Sequence, residues 1–277
     1  MLSAWVQFAA SLCRREEDFY SGCRKIIRHV DWSISGSALM RRDGTMEDFG
    51  YTQSKQTMLT KLYVNEESID AASILWKKRL EQRKYGSVGF SFHNHTVKGG
   101  MEKRSKRASL MGPCLQAAVV TLLNSKGECE MDIYYRTTEV LKKFPADLVF
   151  LRDVVMPRFA NGWVPNQINF HFSNLTVHPM YYVTLVPHLG GPITVLEELR
   201  KRDEHFWKWC IKWSGRYLCP EFGNGIQKFA QAKRTGDSAL KLIDKRTRDE
   251  LQKYIRKNWP GVNHKDGRID NTEEDEE

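Results

Sequence analysis

The stretch GPCLQAAVVTLLNSKGECEMDIYYRTTEV, Gly112 to Val140, decides how this chain is read. It reads as a strand, a turn at Asn124-Ser125-Lys126-Gly127-Glu128, and a second strand. Two strands of about nine residues joined by a short turn return the chain to its starting level. Arg136 is thereby expected beside Cys114, the residue that follows Gly112-Pro113. A thiol reacts as its thiolate and needs nearby positive charge or hydrogen-bond donors. Arg136 would supply that charge, as would the preceding basic loop with Lys103, Arg104, Lys106 and Arg107. The competing reading is plain: a single cysteine at a strand start is often a small buried hydrophobe.

Working outward, residues 2–30 read as one helix with Trp5, Phe8, Ala9, Leu12, Phe19 and Ile26 on its apolar side. Residues 33–57 read as strand fragments and loops. Met58–Val64 (MLTKLYV) alternates and predicts a strand. From Asn65, NEESIDAASILWKKRLEQRKY opens with an Asn cap and acids and closes on bases, the signature of a helix. GSVGFSFHNH, from Gly86, alternates Val88, Phe90 and Phe92 and predicts a strand. TTEVLKKFPADLVFLRDVVM, from Thr137, predicts a helix broken near Pro145, and NQINFHFSNLTV, from Asn166, a strand. The aromatic segment after His178 reads as helical. Two further helices are expected over Thr194–Trp213 and from about Gly236 to Lys257. There are no repeats and no Pro- or Gly-rich linker. The expectation is an α+β fold, with residues 1–215 as one domain, 216–265 as a helical C-terminal extension and 266–277 as a disordered acidic tail.

The 277 residues are 41% hydrophobic and 11% aromatic, enough for a real core and too much for a disordered chain. No apolar run approaches 18 residues, and the N-terminus, lacking a basic region before its apolar run, reads as an amphipathic helix rather than a signal peptide. The net charge is +9; Asp270–Glu277 holds six acids and no base, so the preceding residues carry about +15. That surplus suits phosphate-bearing ligands or nucleic acid, although solvated basic faces are common. Six cysteines in no metal-like spacing fit reduced thiols in a cytoplasmic protein, with no metal site.

The order of these motifs resembles the central segment of thymidylate synthases and the related deoxycytidylate hydroxymethylases. Pro113-Cys114 matches that family's Pro-Cys pair. Arg136-Thr137-Thr138-Glu139 matches its Arg-Ser-x-Asp motif, and Asp147 falls where the family carries a base-reading Asn or Asp. Upstream, Arg83 and Lys84 resemble the paired bases that reach a partner subunit's phosphate. Downstream, NFHFSNLTVHPMYYVTL resembles the strand bearing the sugar-contacting His and Tyr, with Phe170 and Phe172 at those two positions. The resemblance covers residues 83–185.

It implies a thymidylate-synthase-like fold, a homodimer, and folate-dependent one-carbon transfer to C5 of a pyrimidine nucleoside monophosphate. Cys114 would add to C6. Arg136, with Thr137 and Glu139 beside it and Arg83 and Lys84 from a second subunit, would hold the substrate; an Arg fork suits phosphate. Asp147 favours cytidylate hydroxymethylation over methylation of deoxyuridylate, because a carboxyl group accepts from the cytosine amino group and, when protonated, donates to N3; its competing role is to cap the helix that follows. The one-carbon donor would be 5,10-methylenetetrahydrofolate. The chain departs from the family at Leu115, where synthases carry His, and at Phe170 and Phe172, which cannot hydrogen-bond a sugar. An alternative register puts His171 there, but alternation turns it to the other face. For the family's glutamate only Glu47, Glu66 and Glu67 offer themselves. Two other readings stay open: a catalytically silent protein of the same fold that binds nucleic acid or a nucleotide-modification assembly, and a folate-independent enzyme acting on DNA bases.

Other motifs carry less. His93-Asn94-His95 offers two histidines on one strand face without the rest of a nuclease pattern. Phe206–Trp213 (FWKWCIKW) interleaves aromatics with Lys208 and Lys212, as base-stacking surfaces do, but at helical spacing Phe206, Trp209, Cys210 and Trp213 read better as a core face.

Overall fold

Alternation of buried and open side chains over Cys129–Glu139 and Gln167–Val177 builds the two central strands of a six-stranded sheet. The computed structural model describes residues 1–13, 15, 19–21, 24–42, 57, 59–60, 63–92, 114–124, 126–141, 143–159, 163–179, 182, 191–222 and 244–259. In chain order the elements are α1 (Leu2–Cys13), β1 (Phe19–Ser21), β2 (Arg24–Ser35), α2 (Gly36–Met40), α3 (Glu66–Gln82), β3 (Gly86–Ser91), β4 (Leu115–Leu122), β5 (Cys129–Glu139), α4 (Lys143–Phe150), β6 (Gln167–Val177), α5 (Pro192–Arg202), α6 (Glu204–Leu218) and α7 (Lys245–Asn258). The sheet order is β1-β2-β6-β5-β4-β3, antiparallel except for the parallel pair β5–β6. The fold is α+β.

Several expectations need correction. The helix predicted over residues 2–30 stops at Cys13, and β1 and β2 follow. Lys25, Ile27, Val30 and Ile34 bury one side of β2, whose β-branched residues suit a pleated surface. The strand expected over Met58–Val64 is corrected at its described residues: Leu59, Thr60 and Tyr63 are helical, and the Val64 N–H donates to Thr60 O at 2.9 Å. A short apolar run serves either periodicity. Pro145 breaks nothing. It sits in the first turn of α4, where its missing N–H costs no helical bond, and Thr137–Glu139 remain in β5. The long helix expected over Thr194–Trp213 is two, parted at Asp203, whose carboxylate accepts from the Phe206 N–H at 2.9 Å as an N-cap.

One apolar core collects α1, α3, α4 and the inner side of the sheet. Trp5 of α1 is fully buried and donates through Nε1 to Val140 O at 2.9 Å. In Phe206–Trp213, the residues Phe206, Trp207, Cys210, Ile211 and Trp213 are buried, while Trp209 is half-exposed with Lys212 over its ring. This segment therefore packs inward. The C-terminal helices are tied to the sheet by an ion pair: Lys25 of β2, 1% exposed, lies 3.3 Å from Asp203, donates to the Arg15 carbonyl, and sits over the Phe206 ring. Tyr20 also donates to Asp203.

The pleat reverses phase across the four central strands. On β6 the inward residues are Ile168, Phe170 and Phe172, then Leu175 and Val177; on β5 they are Met131, Ile133 and Tyr135, then Thr138. On β2 they are Lys25 and Ile27, then Val30 and Ile34. His29, at φ 48°, stands opposite Ser173 between the pairs Arg28↔Asn174 and Val30↔Phe172. On β4 the register shifts between Leu115 and Ala117. A uniform strand keeps one parity; here each strand carries one extra residue at about the same level, as bulges do.

The Lys25–Asp203 pair gives a stability prediction. Asp203→Asn keeps an acceptor for the helix cap but leaves the buried ammonium uncompensated, and should cost about 3 kcal/mol in urea unfolding. Adding Lys25→Met should recover most of that loss. Equal unfolding midpoints for the wild type and Asp203→Asn would refute the role given to this pair.

Candidate functional site

Cys114 stands at the foot of β4, half-buried, with Arg136 directly across: the Arg136 N–H donates to Cys114 O at 2.9 Å. The hairpin thus brings the two backbones side by side, as counting strand residues predicts; the expectation that thiol and guanidinium face one ligand concerns their side chains, which part. Around Cys114 lies a polar cluster drawn from three other elements. Tyr63, from the helical turn before α3, accepts from the amides of Cys114 and Leu115. Tyr135 of β5 points inward, and Asp147 of α4 is buried beside both phenols, at the limit of hydrogen bonding from Thr138 Oγ1 at 3.5 Å. Burial, then the neighbouring Asp147 and Cys114, raise the Tyr63 hydroxyl far above its ordinary value. Tyr135 is raised in the same way by burial, Asp147, Tyr63 and Cys114. Both phenols therefore stay protonated through the neutral range. Each remains an O–H donor beside a thiol and a carboxyl group.

Arg136 has a different outlook. Its half-buried side chain lines an open cavity of about 470 Å³ on the outer side of the sheet. His29, Gln116, Arg136 and Ser173, the residues at the four pleat irregularities, all border it, with Asp31, Tyr134 and His171; Tyr135 and Phe172 also reach its wall, so the cavity adjoins the cluster around Cys114 at Tyr135. Cys114 and Arg136 are thus backbone neighbours whose side chains serve a buried cluster and an open cavity.

The remaining sequence-predicted residues divide clearly. Thr137 is half-buried and pairs with Asn174. Glu139 is buried, and its carboxylate accepts from the His178 N–H at 3.2 Å; it serves the backbone rather than a ligand. Phe170 and Phe172 are also corrected. They are 0% and 2% exposed and pack edge-to-face with Phe144 at 5.4 and 5.2 Å, so both rings belong to the core, Phe172 also bordering the cavity. His171 faces outward between them, as alternation requires. Arg83 and Lys84 form the exposed turn after α3, where Arg83 adopts the left-handed conformation of a C-cap. The following Gly86 pairs with Leu122, at the far end of β4 from Cys114. Eight strand residues separate the two ends by about 25 Å, so within one chain these bases do not meet the thiol. Glu66 and Glu67 lie in the exposed first turn of α3, Glu66 near Arg158 at 3.7 Å. Glu47, Pro113, the basic loop of Lys103–Arg107 and His93–His95 lie outside the described residues.

Sequence reasoning missed Tyr63 and Tyr135. Tyr135 carried a signal, since it continues the inward parity of Met131 and Ile133. Tyr63, 51 positions before Cys114, carried none. Among the described residues no group of three or more His, Cys, Asp or Glu is arranged to hold a metal ion, and no helix is long and apolar enough to cross a membrane.

Exposure separates Cys114 from the buried Cys13, Cys129, Cys210 and Cys219. Burial also raises the Cys129 thiol, and burial with Glu221 pushes Cys219 up to about 11. Brief iodoacetamide treatment of the native protein, mapped by peptide mass, should label Cys114 well before these four. Labelling of Cys114 only at the rate of Cys129 would show that its sulfur is sealed. The chain matches no protein-family model, and no curated protein matches it significantly.

Proposed function

We propose that this protein is a divergent thymidylate-synthase-like enzyme that modifies C5 of a pyrimidine nucleotide, a cytidylate in preference to a uridylate, through a Cys114 adduct. One observation carries the reading: Cys114 and Asp147, on a strand and a helix, share one buried polar cluster with Tyr63 and Tyr135. In the covalent step the sulfur forms a bond to C6, and the C5–C6 π pair moves to C5. C5 then takes up an electrophile. Loss of the C5 proton and expulsion of the thiolate restore the double bond. The two protonated phenols offer donors to the pyrimidine carbonyl or to an entering proton. Asp147 faces the exocyclic amino group and N3 of cytosine.

Arg136 holds the 5′-phosphate from the cavity, with Thr137 adjoining, and the base reaches Cys114 past Tyr135, which borders both the cavity and the thiol cluster. In a homodimer Arg83 and Lys84 would come from the second subunit, which agrees with their distance from Cys114 in a single chain. The described cysteines are all free thiols, which supports a cytoplasmic setting. The one-carbon donor implied is 5,10-methylenetetrahydrofolate. The described groups around Cys114 are buried phenols and a carboxyl group, with no exposed aromatic face for a pterin, so no step is drawn through the folate.

The second reading, a catalytically silent protein of the same fold, is favoured by Phe170 and Phe172, whose rings are consumed by the core. Tritium release from C5-labelled deoxycytidylate and deoxyuridylate, with and without methylenetetrahydrofolate, separates the two. Release should be faster from deoxycytidylate, should vanish in Cys114→Ala, and should shift toward deoxyuridylate in Asp147→Asn. No release from either nucleotide, together with steeply salt-dependent binding of a polynucleotide, would replace the enzyme with the binding protein. Covalent capture of Cys114 on an oligonucleotide without folate would instead point to a DNA-base-modifying enzyme.

A further inference from the structure

Three side chains from three adjacent strands meet on the outer side of the sheet, at the rim of the open cavity. His171 of β6 lies between Asp31 of β2, 2.8 Å from Nδ1, and Asp132 of β5, 3.1 Å from Nε2. A neutral imidazole carries one N–H. It can donate to one carboxylate only, and its other nitrogen would then face the second carboxylate lone pair to lone pair. Both contacts are hydrogen bonds at once only when the ring is doubly protonated.

The two acids are not equivalent. Asp132 also accepts from Asn169 Nδ2 at 3.1 Å, and Gln167 steadies Asn169 at 2.7 Å. Its side chain is 26% exposed, against 78% for Asp31, whose partner among the described residues is His171. Tyr134 of β5 stacks on the imidazole with centroids 4.9 Å apart. The other charged or titratable groups lining the cavity are Arg136 and Tyr135 of β5 and His29 of β2, while β4 contributes the neutral Gln116.

We infer that His171 is a proton-operated clasp: protonated, it ties β2 to β5 across β6; deprotonated, it keeps its Nε2–H on Asp132 and releases Asp31 toward solvent and the cavity. The proton's departure removes a positive charge from a cavity that Asp31 and Arg136 also line, so the cavity becomes more negative and less able to hold an anion. The device acts whether or not Cys114 is a nucleophile. Burial pulls the His171 pKa down, but hydrogen bonds and charge from Asp132 and Asp31 outweigh it and leave the pKa raised above 6.5. A raised pKa in the folded state means stabilisation that is fully present below the unfolded value. It is lost as pH rises from about 6.5 through the folded value.

An NMR titration of the full chain labelled with ¹⁵N-histidine reads this directly, with His171 assigned by the signal lost in His171→Gln. The expected result is a His171 pKa above 6.5, a neutral form that is the Nε2–H tautomer, and a drop of about one unit in each of Asp31→Asn and Asp132→Asn. Urea midpoints should fall across the same pH interval in the wild type and not in His171→Gln. A His171 pKa at or below 6.5, or one unmoved by both substitutions, would overturn the clasp. An Nδ1–H tautomer in the neutral form would overturn the release of Asp31.

Discussion

The phase reversal of the pleat across β2, β6, β5 and β4 is the constraint on which the site depends. A sheet with one uniform pleat would send alternate residues to the same two sides along its whole length. Here the sides exchange near Tyr135. One strand can therefore bury Tyr135 among Phe144, Phe170 and Phe172, turn Arg136 to an open cavity, and bury Thr138 near Asp147. The extra residue in each strand also leaves a local concavity, and the four residues at the irregularities all border the cavity.

Several polar groups drawn inside by this arrangement are matched with partners from distant parts of the chain, whereas the buried Tyr135 hydroxyl has no hydrogen-bond partner among the described residues. Tyr63 reaches the amides at the foot of β4, Glu139 accepts from the His178 amide, and Lys25 meets Asp203. Each contact offsets the desolvation of a buried polar group and joins segments far apart in sequence. The C-terminal helices are held to the same core by such contacts, with the buried side of Phe206–Trp213 adding apolar area.

Where one local pattern agrees with the tertiary context, the sequence is readable. The hairpin from Leu115 to Glu139, the capped helix after Asn65, and the alternation of Gln167–Val177 all follow from it. It is ambiguous where a short apolar run fits two periods. Phe19 to Ile26 could continue a helix, yet the neighbouring β6 completes the backbone hydrogen bonds of β2. Met58–Val64 errs in the opposite direction. The site was half legible. Cys114 beside Arg136 came from counting strand residues, and the outward His171 from alternation. The division between thiol cluster and cavity was hidden, because a pleat reversal has no signature in a period-two count. The partnership of Tyr63 with Cys114 depends on a contact across 51 residues.

The sheet order has a consequence for synthesis. Beyond its first three residues, which pair with the short β1, β2 pairs only with β6, more than 130 residues later, and β6 is also the parallel neighbour of β5. During translation Ile27, Val30 and Ile34 have emerged long before the strand that completes their hydrogen-bonded edge. The nascent chain must therefore carry an exposed, β-prone segment through most of its elongation, a condition that favours slow assembly and holding by a chaperone.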